Sequence, residues 1–178
     1  MTDQNINFID VKSSLNWDEY FMLQAMIASF KSKDPATKVG CVIVDENNHQ
    51  VSMGYNGMLA GIDESKLPWG KNTDVPLEFQ KYGYVVHSEA NAILHTSKSL
   101  ENCKIYVTLF PCNECAKLIV SKKVKEVIYL SDKHRESEGP RMAKKLFELS
   151  KVKYKNLVPS PKLFEKLNLH FNQLMENL

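Results

Sequence analysis

Residues 87–89 read His-Ser-Glu, and residues 111–115 read Pro-Cys-Asn-Glu-Cys. Each stretch is predicted to open a helix, because apolar residues at helical spacing follow the first and a proline begins the second. Cys112 and Cys115 are three residues apart, so a helix places their thiols on one face, at an end that favours thiolates. Together with His87 they predict a zinc site with three protein ligands. Catalytic zinc sites have this number of ligands and keep the fourth position for water.

Glu89 is predicted to be the proton carrier of this site. It lies two residues after His87, so on a helix the two side chains diverge and the carboxylate stays beside the metal without binding it. Zinc lowers the pKa of a bound water toward neutrality. A carboxylate next to such a water can act as general base and then as general acid.

Two other interpretations of the cysteines are weaker. A structural zinc site needs a fourth ligand, which only Cys41 or Cys103 could supply, and both lie at apolar, strand-like runs where small core thiols are expected. A redox role for the Cys-x-x-Cys pair has no flanking thioredoxin pattern to support it.

Composition indicates one globular domain with a sizeable core. The chain has 178 residues, of which 43% are hydrophobic and 25% charged, and its net charge is +2. We therefore expect no nucleic-acid partner. The polar N-terminus and the absence of a long apolar run predict neither signal peptide nor membrane span, hence a reducing cytoplasmic location. Residues 141–178 carry eight Lys or Arg against three Glu, which favours a solvated face over an anion site.

Strand-like and helix-like patterns alternate along the chain and predict a three-layer α/β domain over residues 14–178, preceded by an arm over residues 1–13. The predicted strands are 39–44, 51–55, 104–109, 126–130 and 152–157. The predicted helices are 17–31, 87–96, 111–122, 140–149 and 163–178.

Three segments carry further expectations. The first helix, capped by Asn16, is predicted to bury the face formed by Trp17, Phe21, Met22, Ala25, Met26 and Phe30. The last helix either supports assembly of several copies or covers the core of its own domain. Residues 58–83 lack periodicity and form either a functional loop or a surface insertion.

His-x-Glu followed by Pro-Cys-x-x-Cys, each opening a helix, is the signature of zinc-dependent nucleobase deaminases. The chain resembles the cytidine deaminase superfamily and, within it, the deoxycytidylate (dCMP) deaminases. Besides the two motifs, the resemblance is carried by KDP (33–35), TKVG (37–40), GYNGM (54–58), LPW (67–69), YVTLF (106–110) and SDK (131–133). Two positions depart from the family: Ser88 replaces the usual Ala, and Leu59 the usual Pro.

The resemblance implies a three-layer α/β/α cytidine deaminase-like fold with a central mixed five-stranded sheet. It implies one Zn²⁺ per subunit and hydrolytic deamination of dCMP to dUMP, which supplies thymidylate synthesis, with Glu89 moving protons. It further implies that Asn56 contacts the sugar or base, and that backbone groups near Ser88 and Phe110 contact the pyrimidine edge.

A monophosphate substrate requires positive groups near the site. Lys133, His134 and Arg135 follow a predicted strand, where α/β sheets bind ligands, and they are either phosphate ligands or a solvated loop. The resemblance also implies a homohexamer activated by dCTP and inhibited by dTTP, with Mg²⁺ accompanying the triphosphate.

Two rival functions remain open at this point. A tRNA adenosine deaminase of the same superfamily shares the metal pattern but needs a basic face for RNA. Only the excess of Lys and Arg over Glu in residues 141–178 supports such a face. A non-enzymatic, zinc-stabilised nucleotide-sensing domain is disfavoured by Glu89, because a structural zinc site has no use for that carboxylate.

Overall fold

Five strands form the central sheet of the computed structural model, which describes residues 15–70 and 72–176. Its strands are β1 (Gly40–Val44), β2 (Gln50–Tyr55), β5 (Lys104–Leu109), β6 (Glu126–Ser131) and β7 (Lys153–Asn156). Two short strands, β3 (Gly57–Met58) and β4 (Val85–Val86), pair separately. The order of the main sheet is β2-β1-β5-β6-β7, with β1 antiparallel to both neighbours and β5, β6 and β7 parallel. The predicted mixed five-stranded sheet is therefore confirmed.

Helices cover both faces of this sheet. They are α1 (Trp17–Ser29), α2 (Ser88–Leu94), α3 (Asn113–Ser121), α4 (Glu138–Ser150) and α5 (Pro161–Glu176). All five residues of β1 are buried, as expected of a strand covered on both sides. Val42 and Val44 pack with α1, whereas Cys41 and Ile43 belong to the apolar cluster shared with α2, α3 and α4. The prediction of three layers is confirmed.

The first helix begins where the sequence indicates. Asn16 accepts a hydrogen bond from the Glu19 N–H, and the Glu19 carboxylate accepts one from the Asn16 N–H, which completes a capping box. The predicted core face of α1 is partly wrong, because Trp17 is 57% and Phe30 is 76% exposed. Both lie at the ends of the helix, where Trp17 stacks on Phe21 and Phe30 is the C-cap.

The last helix covers little of the domain. Within α5, Leu163 is buried and Leu167 is half-buried, whereas the other large apolar side chains are exposed: Phe164, Leu169, Phe171, Leu174 and Met175. Helical periodicity therefore predicted the helix but not its contacts. No helix in the described part of the chain is both long and apolar enough to cross a membrane. The predicted arm, residues 1–13, lies outside the described residues.

Candidate active site

The starts of α2 and α3 place the metal-binding side chains next to each other. His87 is the N-cap of α2 and follows β4, and Cys112 is the N-cap of α3 and follows β5. Both residues have extended backbone conformations, and neither side chain caps its own helix. The imidazole and the thiol are therefore free to project from the helix ends toward a common point.

His87, Cys112 and Cys115 form a cluster with the dimensions of a zinc site. The Nδ1 atom of His87 lies 3.4 Å from the Sγ of Cys112 and 3.5 Å from the Sγ of Cys115. Around a tetrahedral zinc, metal–ligand lengths of about 2.1 Å and 2.3 Å put such atoms about 3.6 Å apart. The three predicted ligands thus fit zinc, and among the described residues no fourth His, Cys or carboxylate joins them.

The other two cysteines are core thiols. Cys41 and Cys103 are buried, and burial raises the pKa of both thiols, that of Cys41 strongly. Neither belongs to the cluster that could hold a metal. A structural site with four protein ligands therefore has no support among the described residues.

The side chains of His87, Cys112 and Cys115 shift one another's pKa values through hydrogen bonds. Hydrogen bonds to Cys112, first from Cys115 and then from His87, lower the pKa of the Cys112 thiol to about 3. The hydrogen bond to Cys112 raises the pKa of His87 to about 8, and the pKa of Cys115 is raised by its hydrogen bond to the Cys112 sulfur and by burial. A metal binds the deprotonated forms of these three groups, so its binding would release the protons that they share.

Glu89 lies beside this cluster without belonging to it. Its side chain is buried and faces the same cavity as His87 and Cys112. Burial raises the pKa of Glu89, while the nearby His87 and the Ser88 hydroxyl act in the opposite direction. The Ser88 Oγ donates a hydrogen bond of 2.8 Å to the Glu89 Oε2. A carboxyl group whose pKa is shifted toward neutrality can both accept and donate protons.

These groups face a cavity of about 440 Å³, a volume within the range of small-molecule sites. Of the residues predicted to contact substrate, Asn56, Ser88, Phe110 and His134 line it. Lys133 is instead exposed and lines two neighbouring surface grooves. The Phe110 N–H donates to the Ser131 carbonyl, so this donor already has a protein partner.

Asn56 is held by three protein partners at the wall of the cavity. Its Oδ1 accepts a hydrogen bond from the Val39 N–H, and its Nδ2 donates to the Thr37 carbonyl and to the Asp34 carboxylate. The amide orientation is therefore fixed before any ligand arrives.

Sequence reasoning missed two charged residues of the cavity, Asp34 and Lys81. In the sequence Asp34 contributed only to the family resemblance, within KDP (33–35), and Lys81 lies in the segment that lacks periodicity. That segment carries three short turns of 3₁₀ helix, over Glu64–Lys66, Leu77–Phe79 and Lys81–Gly83. The presence of Lys81 and Tyr82 in the cavity wall shows that its final part helps to form the site.

Known proteins match this chain in sequence and fold. Residues 15–131 match the family model for the cytidine and deoxycytidylate deaminase zinc-binding region. The deoxycytidylate deaminase of Mus musculus is 42% identical over 161 residues, covering 90% of this chain and 88% of the mouse protein. The deoxycytidylate deaminase of Homo sapiens is 44% identical over 146 residues, covering 82% of each.

A crystal structure of the dCMP deaminase from the cyanophage S-TIM5, in complex with dCMP and dUMP, superposes with a TM-score of 0.62. The match covers 78% of this chain and 95% of the phage chain at 23% identity. This similarity shows a common fold and confirms the predicted cytidine deaminase-like architecture.

Proposed function

Because the chain belongs to the cytidine and deoxycytidylate deaminase family, we propose that it hydrolyses dCMP to dUMP and ammonia. The observation that carries this proposal is the cluster of His87, Cys112 and Cys115 with a buried carboxyl group, Glu89, facing the same cavity. Relatives named deoxycytidylate deaminase that align with most of the chain support dCMP as the substrate.

The chain's own residues have distinct parts in the reaction. Zinc, when bound by His87, Cys112 and Cys115, supplies a Lewis acid that lowers the pKa of water. Glu89 takes a proton from the attacking water, delivers it to ring N3, and passes a second proton to the amino group as ammonia leaves C4. The burial of Glu89 limits the access of bulk water to these transfers.

Substrate contacts follow from the cavity wall. Asn56 presents a pre-oriented amide to the sugar or base, and Ser88 and Phe110 flank the reacting end of the pyrimidine. His134 lies near Ser137 and Gly139, at the start of α4, where backbone N–H groups favour an anion. We assign the phosphate of dCMP to this end of the cavity, with the exposed Lys133 as an outer, weaker contact.

Regulation and assembly form the second part of the proposal. We propose that dCTP with Mg²⁺ activates the enzyme and that dTTP inhibits it. The enzyme is a homohexamer with one zinc per subunit in this proposal, and its product, dUMP, supplies thymidylate synthesis. A cavity of about 300 Å³ supports an effector site, because Lys31 and Lys33 line it, although Lys33 is paired there with Glu64. Asn91, on α2, lines this cavity, and its Nδ2 donates a hydrogen bond to the Tyr55 carbonyl. The exposed apolar side chains of α5 support assembly.

A turnover assay on the zinc-loaded protein tests the proposal. Ammonia release from dCMP, faster with dCTP and Mg²⁺ and slower with dTTP, is the expected result. An RNA anticodon stem-loop serves as the competing substrate. Ammonia from the RNA alone would make the protein a tRNA deaminase, and zinc and nucleotide binding without turnover of either would make it a sensing domain.

A further inference from the structure

A buried ion pair stands in the wall of the catalytic cavity. The Lys81 ammonium contacts the Asp34 carboxylate, and the side chains are only 6% and 2% exposed. Lys81 is the buried residue of a short 3₁₀ turn, and its N–H donates to the Gly70 carbonyl. The long segment before α2 is thus attached at the cavity through a charged side chain.

The two partners differ in how fully their hydrogen-bonding capacity is used. One carboxylate oxygen of Asp34 accepts from the N–H groups of Ala36 and Thr37, and the other accepts from Asn56 and Lys81. Lys81 has three ammonium donors, of which one has a protein acceptor in the part of the chain that the structure describes. The spare donors belong to a side chain that lines the cavity.

Stability alone does not account for this pair. Removing two charges from water costs about as much as their attraction returns, so apolar replacements of buried ion pairs are often as stable. Although burial raises the pKa of Asp34, the hydrogen bond from Lys81 and then those from the backbone N–H groups of Ala36 and Thr37 hold it below its ordinary value. Among the described residues, Asp34 thus accepts four hydrogen bonds, whereas the Lys81 ammonium donates one, to Asp34, and otherwise lies 5.6 Å from the centre of the Tyr82 ring.

We propose that Lys81 binds the phosphate of the nucleotide substrate through its spare ammonium donors. The phosphate is the one anionic group of dCMP, and an ammonium–phosphate contact is a strong, charge-assisted hydrogen bond. The same cavity contains Lys81 and the metal-binding cluster, so a nucleotide whose base meets Glu89 remains within one continuous site. Lys81 and His134 both line this cavity, and the burial of Lys81 makes its contact with an anion less screened by solvent.

This inference rests on the proposed function, and its test separates the two. The zinc-loaded full chain is titrated calorimetrically with dUMP and, separately, with deoxyuridine, which lacks the phosphate. Lys81→Met is expected to weaken dUMP binding by about 10- to 100-fold and to leave deoxyuridine binding unchanged. Equal losses for both ligands, or no loss for dUMP, would overturn the assignment.

Lys66→Met is the matched control. Lys66 lies in the same segment, is exposed and pairs with Asp63, and it does not line the cavity. Its replacement is expected to leave the affinities for both ligands unchanged. A loss of dUMP affinity equal to that of Lys81→Met would show a nonspecific charge effect and contradict the proposal.

A double variant separates binding from ion pairing. Lys81→Met leaves the Asp34 charge buried without its cation and should lower the midpoint of thermal unfolding, whereas adding Asp34→Asn should restore much of it. Affinity for dUMP should stay low in the double variant, because the phosphate donor is still missing. Recovered affinity would mean that Lys81 only neutralises Asp34. Absent dCMP turnover in the wild type would instead count against the proposed function.

Discussion

The two faces of the central sheet use the same strands for different purposes. On one face α1 packs Phe21, Met22 and Ala25 against the sheet. On the other face α2, α3 and α4 cover the sheet, and the first turns of α2 and α3 carry the metal-binding side chains. Strand β5 contributes Tyr106 to the first face and Ile105 and Val107 to the second.

The comparison shows how fold and chemistry are separated. The α1 face consists of packed apolar side chains with one polar contact at its edge. There the Tyr106 hydroxyl donates a hydrogen bond to Asp18, which also pairs with Lys155. The opposite face places helix ends, not helix sides, at the cavity. Changes on the α1 face should therefore alter stability, whereas changes at the helix starts should alter turnover.

Glu89→Gln is expected to show the largest effect. Gln keeps the shape of the side chain but cannot carry protons, so kcat should fall by about 10³-fold. Zinc content and thermal stability should remain, because Glu89 is not a metal ligand and a neutral amide is less costly to bury than a carboxylate. Steady-state kinetics, metal analysis and calorimetry measure the three quantities. Full activity in this variant would remove Glu89 from the mechanism.

A pair of glycine substitutions tests the comparison directly. A Cβ at Gly54 would overlap the Ser88 carbonyl and the Ala92 nitrogen of α2, and a Cβ at Gly40 would overlap the Ala25 carbonyl and the Ser29 nitrogen of α1. Each Gly→Ala variant should lose roughly 3 kcal/mol of unfolding free energy, because backbone must move.

Only Gly54→Ala should also lower kcat, by about tenfold or more, because it displaces the helix that carries Glu89. Denaturant unfolding and kinetics at a temperature where both variants are folded give the comparison. Equal kcat values for the two variants would show that the faces are not functionally distinct.

The sequence predicted the metal face better than the walls of the cavity around it. The clustering of His87, Cys112 and Cys115 was predictable because each lies within a few residues of a helix start, so local geometry determines where it points. The three central strands β1, β5 and β6 were predictable for a similar reason, since their sequences are rich in β-branched residues and are bounded by turns. Residues whose position depends on distant contacts were not.

Lys81 and Asp34 illustrate this limit. They are 47 positions apart, and nothing in the irregular segment before α2 marks Lys81 as buried. The exposure of Trp17 and Phe30 has a similar cause, because periodicity gives the apolar side of a helix but not where the sheet beneath it ends. Ser88 was an unexplained departure until the structure placed its hydroxyl against Glu89.

Tyr106→Phe probes the polar contact on the α1 face. The hydroxyl donates a 2.6 Å hydrogen bond to Asp18, and its loss should cost about 1.5 kcal/mol of unfolding free energy without changing kcat. Although burial opposes it, the hydrogen bonds from Lys155 and Tyr106 hold the pKa of Asp18 below its ordinary value of 3.8.

A group with a lowered pKa in the folded state stabilises the protein above its ordinary pKa, and the stabilisation is lost as the pH falls below it. The difference between wild type and Tyr106→Phe should therefore be full at pH 6 and shrink below about pH 4, where Asp18 becomes protonated. Urea unfolding across this range measures it. A difference that grows toward acid pH would exclude the Asp18 contact as its source.

Ser88→Ala should have the smallest effect and shows how finely the helix start positions Glu89. Its hydroxyl holds one carboxylate oxygen of Glu89, and without that contact kcat should fall about threefold while zinc content stays constant. Ser29→Ala is the counterpart on the other face, because the Ser29 hydroxyl donates to the Met26 carbonyl within α1. It should lower stability slightly and leave kcat unchanged. If Ser88→Ala instead changes stability and not kcat, the backbone of α2 positions Glu89 without help from the hydroxyl. Alanine, the usual residue of the family at this position, would then serve equally well.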